Sequence, residues 1–259
     1  MPKSRATKQI RDRRLVSIRT SPPLQLNSPP NCVINLSTMP DLSALFDVKE
    51  IFFTVFSHPV SYVEFIGTVL GLISVFLAAR ANIFTWPTGI LNAIFFLVLF
   101  YQIHLYSDMF LQMYFCGMGV YGWFTWKYRA DHQQSEIRTL TNANRLRLAA
   151  FIAAVTLVVG TVIANIHLTL PQIFEHPATY PYIDTFIAIM SILATILLAR
   201  RIFETWVLWV IVDITSIGLY SVKGVKLISI EFVIFLCLAA LGVHSWYKLW
   251  RSAEVIAAE

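Results

Sequence analysis

Between residues 59 and 248 the chain strings together seven apolar stretches, each about as long as a bilayer core is thick. They fall at 59–79, 83–103, 108–128, 147–168, 182–199, 203–222 and 227–248. Crossing about 30 Å of hydrocarbon takes about 20 residues of α-helix. In that solvent each backbone N–H and C=O must be bonded within its own segment, and stretches this apolar can meet that condition as helices. The sequence predicts an all-α integral membrane protein of seven transmembrane helices. Most neighbours are parted by only a few residues, so they must run antiparallel. Residues 129–146 (RADHQQSEIRTLTNANRL) form the one clearly polar internal loop.

Charge supports this class. Only 14% of residues are charged, against about 25% in a soluble domain. The net charge of +5 sits in tails and loops, so it is not the footprint of a nucleic-acid partner. One side collects Arg80, Lys127, Arg129, Arg138, Arg145, Arg147, Arg200, Arg201, Lys248 and Arg251; the other has Lys49, Lys223 and Lys226 near the membrane. Basic residues close to the spans mark the cytoplasmic face. The N-terminus is expected outside and the C-terminus in the cytoplasm. Cys32, Cys116 and Cys237 show no metal-ligand or disulfide spacing and read as packing residues.

Residues 1–55 are basic, then proline-rich, and lack the apolar core of a signal peptide. They are expected to be a disordered tail, or in part an upstream extension of a chain that starts at Met39. Residues 56–250 are the expected membrane domain, and 251–259 a short C-terminal tail.

A shift of 120 residues brings unusual residues into register. Trp86 falls on Trp206, Gly122 on Gly242, Trp126 on Trp246, and Ala79-Arg80 on Ala199-Arg200. Two repeats, 59–128 and 182–248, would hold three spans each, with 147–168 as a linker helix that restores direction. That gives a 3+1+3 arrangement of parallel repeats, a transporter design whose substrate sites lie near the midplane.

The stretch FETWVLWVIVDITSIGLY (203–220) places Trp206, Trp209, Asp213 and Tyr220 on one helical face. Asp213 is the one ionisable side chain near the centre of a span, where a carboxylate costs at least ~2.5–3.5 kcal/mol. It should face a partner or a wet cavity. Glu64, Asp108, Asp184 and Glu204 lie near span ends, within reach of water. Trp86, Gly89, Asn92 and Phe96 form a second stripe, and Asp108, Gln112, Phe115 and Gly119 a third. Each amide alone reads equally as interhelical glue. Together the stripes predict a pocket with aromatic walls and a few oriented polar groups. Tryptophan faces and a buried acid favour a flat, cationic, hydroxylated guest.

At these residues the chain resembles the PnuC-type vitamin transporters. The resemblance rests on NIFTWPTGILN (82–92), LYSDMFLQMY (105–114), YGWFTW (121–126) and WVLWVIVD (206–213), and covers about residues 55–250. It implies a SWEET-like bundle, a homotrimer in the bacterial plasma membrane, and uptake of nicotinamide riboside by facilitated diffusion, with a cytoplasmic ribosylnicotinamide kinase trapping the product. It adds Asn82 and Tyr114 to the substrate-binding candidates. Relatives with similar motifs imply thiamine or riboflavin as alternatives. No phosphate-cradling loop or cofactor motif is present. A non-transporting seven-helix sensor is a further reading, although the last span has no deep lysine for a retinal. An intramembrane enzyme has no clustered catalytic groups to draw on.

Overall fold

The computed structural model describes residues 44–55, 58–104, 106–131, 136–169, 178–224 and 226–258. Seven α-helices occupy them: α1 (Tyr62–Ala79), α2 (Thr85–Gln102), α3 (Tyr106–Asp131), α4 (Asn142–Thr169), α5 (Pro181–Ala199), α6 (Glu204–Val222) and α7 (Lys226–Ala258). Six are long and apolar enough to cross a membrane; α3, with its glycines, tyrosines, Asp108 and Gln112, falls short on apolarity. It nevertheless packs lengthwise between α2 and α5.

Regular structure extends into both stretches expected as tails. Before α1, strands β1 (Ile51–Val55) and β2 (His58–Ser61) pair antiparallel. Phe52 ties the hairpin to α1 through ring contacts with Tyr62 at 4.7 Å and Phe65 at 5.1 Å. Gln102, at the end of α2, holds the preceding turn: it donates to Phe46 O and accepts from Val48 N. Phe46 stacks on Phe95 of α2 at 4.9 Å. At the other end, α7 runs without a break to Ala258. Residues 1–43 lie outside the described set.

Local details recur at the 120-residue offset. Helix α1 ends with Ala81 in the left-handed region (φ 51°), and α5 ends with Arg201 in the same region (φ 55°). At each end the amide two residues beyond the cap bonds back five residues, Asn82 N to Leu77 O and Ile202 N to Leu197 O, both at 2.9 Å. A second bond joins Ala81 N to Ala78 O and Arg201 N to Leu198 O. This pair of bonds terminates a helix sharply and satisfies its last carbonyls. The next helix then starts within four residues. His104 (φ 61°) and Gly224 (φ 77°) make the equivalent turns between α2 and α3 and between α6 and α7.

Helix packing closes into a ring. Helix α1 packs on α2, α2 on α3, α3 on α5, α5 on α6, α6 on α7, and α7 back on α1. None of the six packs extensively across the ring. The remaining helix, α4, leans on α5 from outside, with Leu157, Val158 and Val162 exposed.

One end of the ring is filled by four tryptophans. Trp86 and Trp126 meet edge-on at 5.4 Å, Trp206 and Trp246 at 5.8 Å, and Trp126 and Trp246 at 6.3 Å. Helix α3 bonds to the end of α5, and α7 to the end of α1. Trp126 Nε1 donates to Leu198 O and Ala199 O at 3.2 Å, and Trp246 Nε1 donates to Ala78 O at 3.0 Å. Glycine makes the close approach possible: a Cβ on Gly122 would lie 2.4 Å from the Trp86 ring, and one on Gly242 2.3 Å from Trp206.

Candidate functional site

Helix α6 carries four of the ten candidate residues, more than any other helix. Trp206, Trp209, Asp213 and Tyr220 project within about 80° of one another at 100° per residue. Trp206 faces Trp246, which fixes that face toward the inside of the ring. Asp213 is the central residue of α6, about 10 Å along the axis from Trp206 at 1.5 Å per residue. It is 3% exposed and makes no hydrogen bond or ion pair with the described residues. The side chain is enclosed by protein, as an acid at this depth must be.

The other candidates divide by what already holds them. Asn82 is exposed and its Oδ1 accepts from Phe84 N at 2.9 Å, which shapes the turn into α2. Asn92 donates through Nδ2 to Gly67 O at 2.8 Å and so binds α2 to α1; an added Cβ at Gly71 would meet the same amide at 2.9 Å. Tyr114 donates to Ile192 O at 2.9 Å, a bond from α3 to α5. Phe96 stacks with Phe100 and fills the space at Gly67. Tyr220 lies flat against Phe232 of α7, 5.6 Å between centroids.

Trp86 and Trp206, expected on the walls of a pocket, are packed into the core at 4% and 1% exposure. Trp209 is half-buried and bridges two core clusters. Gln112 is half-buried on α3 and has no hydrogen-bond partner among the described residues.

Two residues escaped the sequence reading. Ser216 is fully buried, one turn beyond Asp213, and its Oγ has no partner among the described residues. Its signal was present, since 206, 209, 213, 216 and 220 keep a 3-and-4 spacing, but a serine inside a span looks neutral. Glu204 was expected in water. It is 7% exposed and accepts from Leu140 N at 3.1 Å and from Arg145 at 2.8 Å. Residues 136–141 are therefore strapped to the start of α6, also through Arg138 N to Arg201 O and Phe203 N to Arg138 O.

A groove of about 560 Å³ lies elsewhere, between α4, α5 and α6, lined by Leu148, Ile152, Phe186, Met190, Val207 and Ile211. It contains none of the candidate residues. Among the described residues no group of three or more His, Cys, Asp or Glu side chains could hold a metal ion. The ring helices carry no lysine or arginine over 62–79, 85–102, 106–126, 181–199, 204–222 and 228–246.

The sequence profile of the nicotinamide mononucleotide transporter family matches residues 61–248. The chain belongs to this family. It is 28% identical over 213 residues to the nicotinamide riboside transporter PnuC of Escherichia coli K12, covering 75% of this chain and 88% of that one. It is 27% identical over 195 residues to the riboflavin/roseoflavin transporter RibM of Streptomyces davaonensis, covering 75% and 89%. The crystal structure of the vitamin B3 transporter PnuC superposes with a TM-score of 0.56 at 20% identity, covering 74% of this chain and 83% of that one. The superposition shows a shared fold. This member of the nicotinamide mononucleotide transporter family is a multi-pass membrane protein, and the family and its relatives are transporters, not enzymes.

Proposed function

We propose that the chain carries nicotinamide riboside across the bacterial plasma membrane by facilitated diffusion, with Asp213 as the acid that meets the positively charged pyridinium ring. The single observation behind this reading is a carboxylate at the centre of α6, enclosed by protein and without a partner among the described residues. A buried charge without a partner costs several kcal/mol, and a cationic guest offsets that cost. The ring helices offer no lysine or arginine at membrane depth, so a phosphate would find no counter-charge there. That favours a riboside over the mononucleotide in the family's description.

In this reading α1–α3 and α5–α7 are parallel repeats of a 3+1+3, SWEET-like arrangement, related by a pseudo-twofold axis through the ring. The recurring caps and reciprocal tryptophan bonds support it. Rocking of the two halves would expose the site alternately, and the four-tryptophan floor would close the cytoplasmic end. Gln112 is the amide free to read a carboxamide. A cytoplasmic kinase acting on the product would then make uptake one-way.

A second reading, a flat neutral vitamin, is favoured by the similarity to RibM; Asp213 would then accept hydroxyl protons. Liposomes containing the purified protein alone distinguish these. Labelled nicotinamide riboside should equilibrate without ATP or an ion gradient, and the mononucleotide should stay outside. Accumulation driven by a proton gradient, or equal entry of the mononucleotide, contradicts the first reading.

A further inference from the structure

Ser216 stands apart from the other hydroxyls of the bundle. A serine or threonine inside a helix ordinarily bonds the carbonyl four residues back. Thr215, its neighbour, does so to Ile211 O at 2.7 Å. On α5, Thr185, Ser191 and Thr195 do the same at 2.6–2.8 Å. Ser216 does not, although it is fully enclosed. Thr156 is the other buried hydroxyl oxygen without a partner among the described residues; it lies on the outlying α4, in a residue that is partly exposed. A buried hydroxyl left unbonded is destabilising, and a group that forgoes its own helix carbonyl is held ready for something else.

Its position says for what. Ser216 sits three residues from Asp213 on the same face, a rise of about 4.5 Å. Asp213 is likewise buried and likewise without a hydrogen bond among the described residues. A carboxylate and a hydroxyl one turn apart suit a polyol: the carboxylate accepts from one or two hydroxyls, and the serine both donates and accepts. The positions 120 residues earlier, on α2, are Ala93 and Phe96, so α2 presents no such pair.

We propose that Ser216 is a specificity residue of the transport site, hydrogen-bonding a hydroxyl of the ribose or ribityl arm of the vitamin beside Asp213. This rests on the vitamin-transport reading above but does not depend on which of the two vitamins is carried. With the side chain unbonded in the free protein, Ser216→Ala leaves no donor or acceptor stranded. Its melting temperature therefore stays level or rises, whereas loss of a structural hydrogen bond would lower it.

The test is equilibrium binding to the full purified chain, native and Ser216→Ala. The probes are nicotinamide riboside, its 2′,3′-dideoxy analogue, riboflavin, and lumichrome, which lacks the ribityl arm. The alanine variant should weaken binding of the hydroxylated ligand about five- to tenfold while leaving the deoxy or arm-less partner within twofold, with no loss of thermal stability. Ser216→Thr, which keeps the hydroxyl, should recover at least half of the loss. Equal weakening for ligands with and without hydroxyls, or unchanged affinity for all, overturns the assignment to Ser216 and leaves the transport reading intact. Native protein that binds neither vitamin overturns both.

Discussion

Gly242→Ala tests the packing of the ring's closed end. The added Cβ would lie 2.3 Å from two ring atoms of Trp206, whereas carbon atoms rest at about 3.5–4.0 Å. Trp206 has little room to retreat, because it meets Trp246 at 5.8 Å and is 1% exposed. Overpacking of this kind costs about 1–3 kcal/mol. In a chain of this size that lowers the melting temperature by roughly 2–12 °C. Gly122→Ala should cost a similar amount, because its Cβ meets Trp86 at 2.4 Å. Gly218 and Gly117 supply the control: an added Cβ on either meets nothing within 4 Å. Alanine there should be neutral or stabilising by ~0.5–1 kcal/mol through helix propensity. Thermal unfolding in detergent, read by size-exclusion chromatography after heating, compares all four variants. Gly242→Ala and Gly122→Ala melting with the native protein, or no more perturbed than Gly218→Ala, would refute the argument.

Other perturbations reach other joints of the molecule. Trp126→Phe and Trp246→Phe each remove an indole donor, to α5 and to α1 respectively, and should cost about 0.5–1.5 kcal/mol per bond; a cysteine placed at Ala79 should label faster in both, and unchanged labelling would mean that these bonds do not hold this end of the ring closed. Tyr114→Phe removes the bond to Ile192 O and should lower stability by about 1 kcal/mol without changing ligand affinity, measured by the same thermal assay and a binding titration. Glu204→Ala strands Leu140 N and Arg145 at about 1–3 kcal/mol, and trypsin should then cut after Arg138 several times faster; native-like cleavage would contradict the strap.

Much of this architecture could be read from the sequence because hydrocarbon is a strict solvent. Span length and polarity placed all seven helices to within a few residues, apart from the additional length of α3, α4 and α7. The 120-residue offset could be noticed because tryptophan is rare enough for Trp86 on Trp206 and Trp126 on Trp246 to stand out; that Trp206 rests on Gly242 could not. Asp213 was legible because a mid-span charge has few places to go. Side-chain partnerships were not. Nothing in NIFTWPTGILN says that Asn92 turns to the Gly67 carbonyl, or that Asn82 spends its oxygen on a turn. The hairpin at 51–61 is short, contains Pro59, and gives little alternating pattern. Glu204 looked exposed because its partner, Leu140 N, comes from a loop 64 residues away, a distance that periodicity cannot span.

The account turns on Asp213 meeting a positively charged guest inside the ring, and the direct measurement is calorimetric binding of nicotinamide riboside to the native chain and to Asp213→Asn. A buried acid paired with a cation predicts at least about tenfold weaker binding of the riboside in the variant, corresponding to about 1.4 kcal/mol, while a neutral flat ligand such as riboflavin changes little. Undiminished riboside affinity in Asp213→Asn would contradict it.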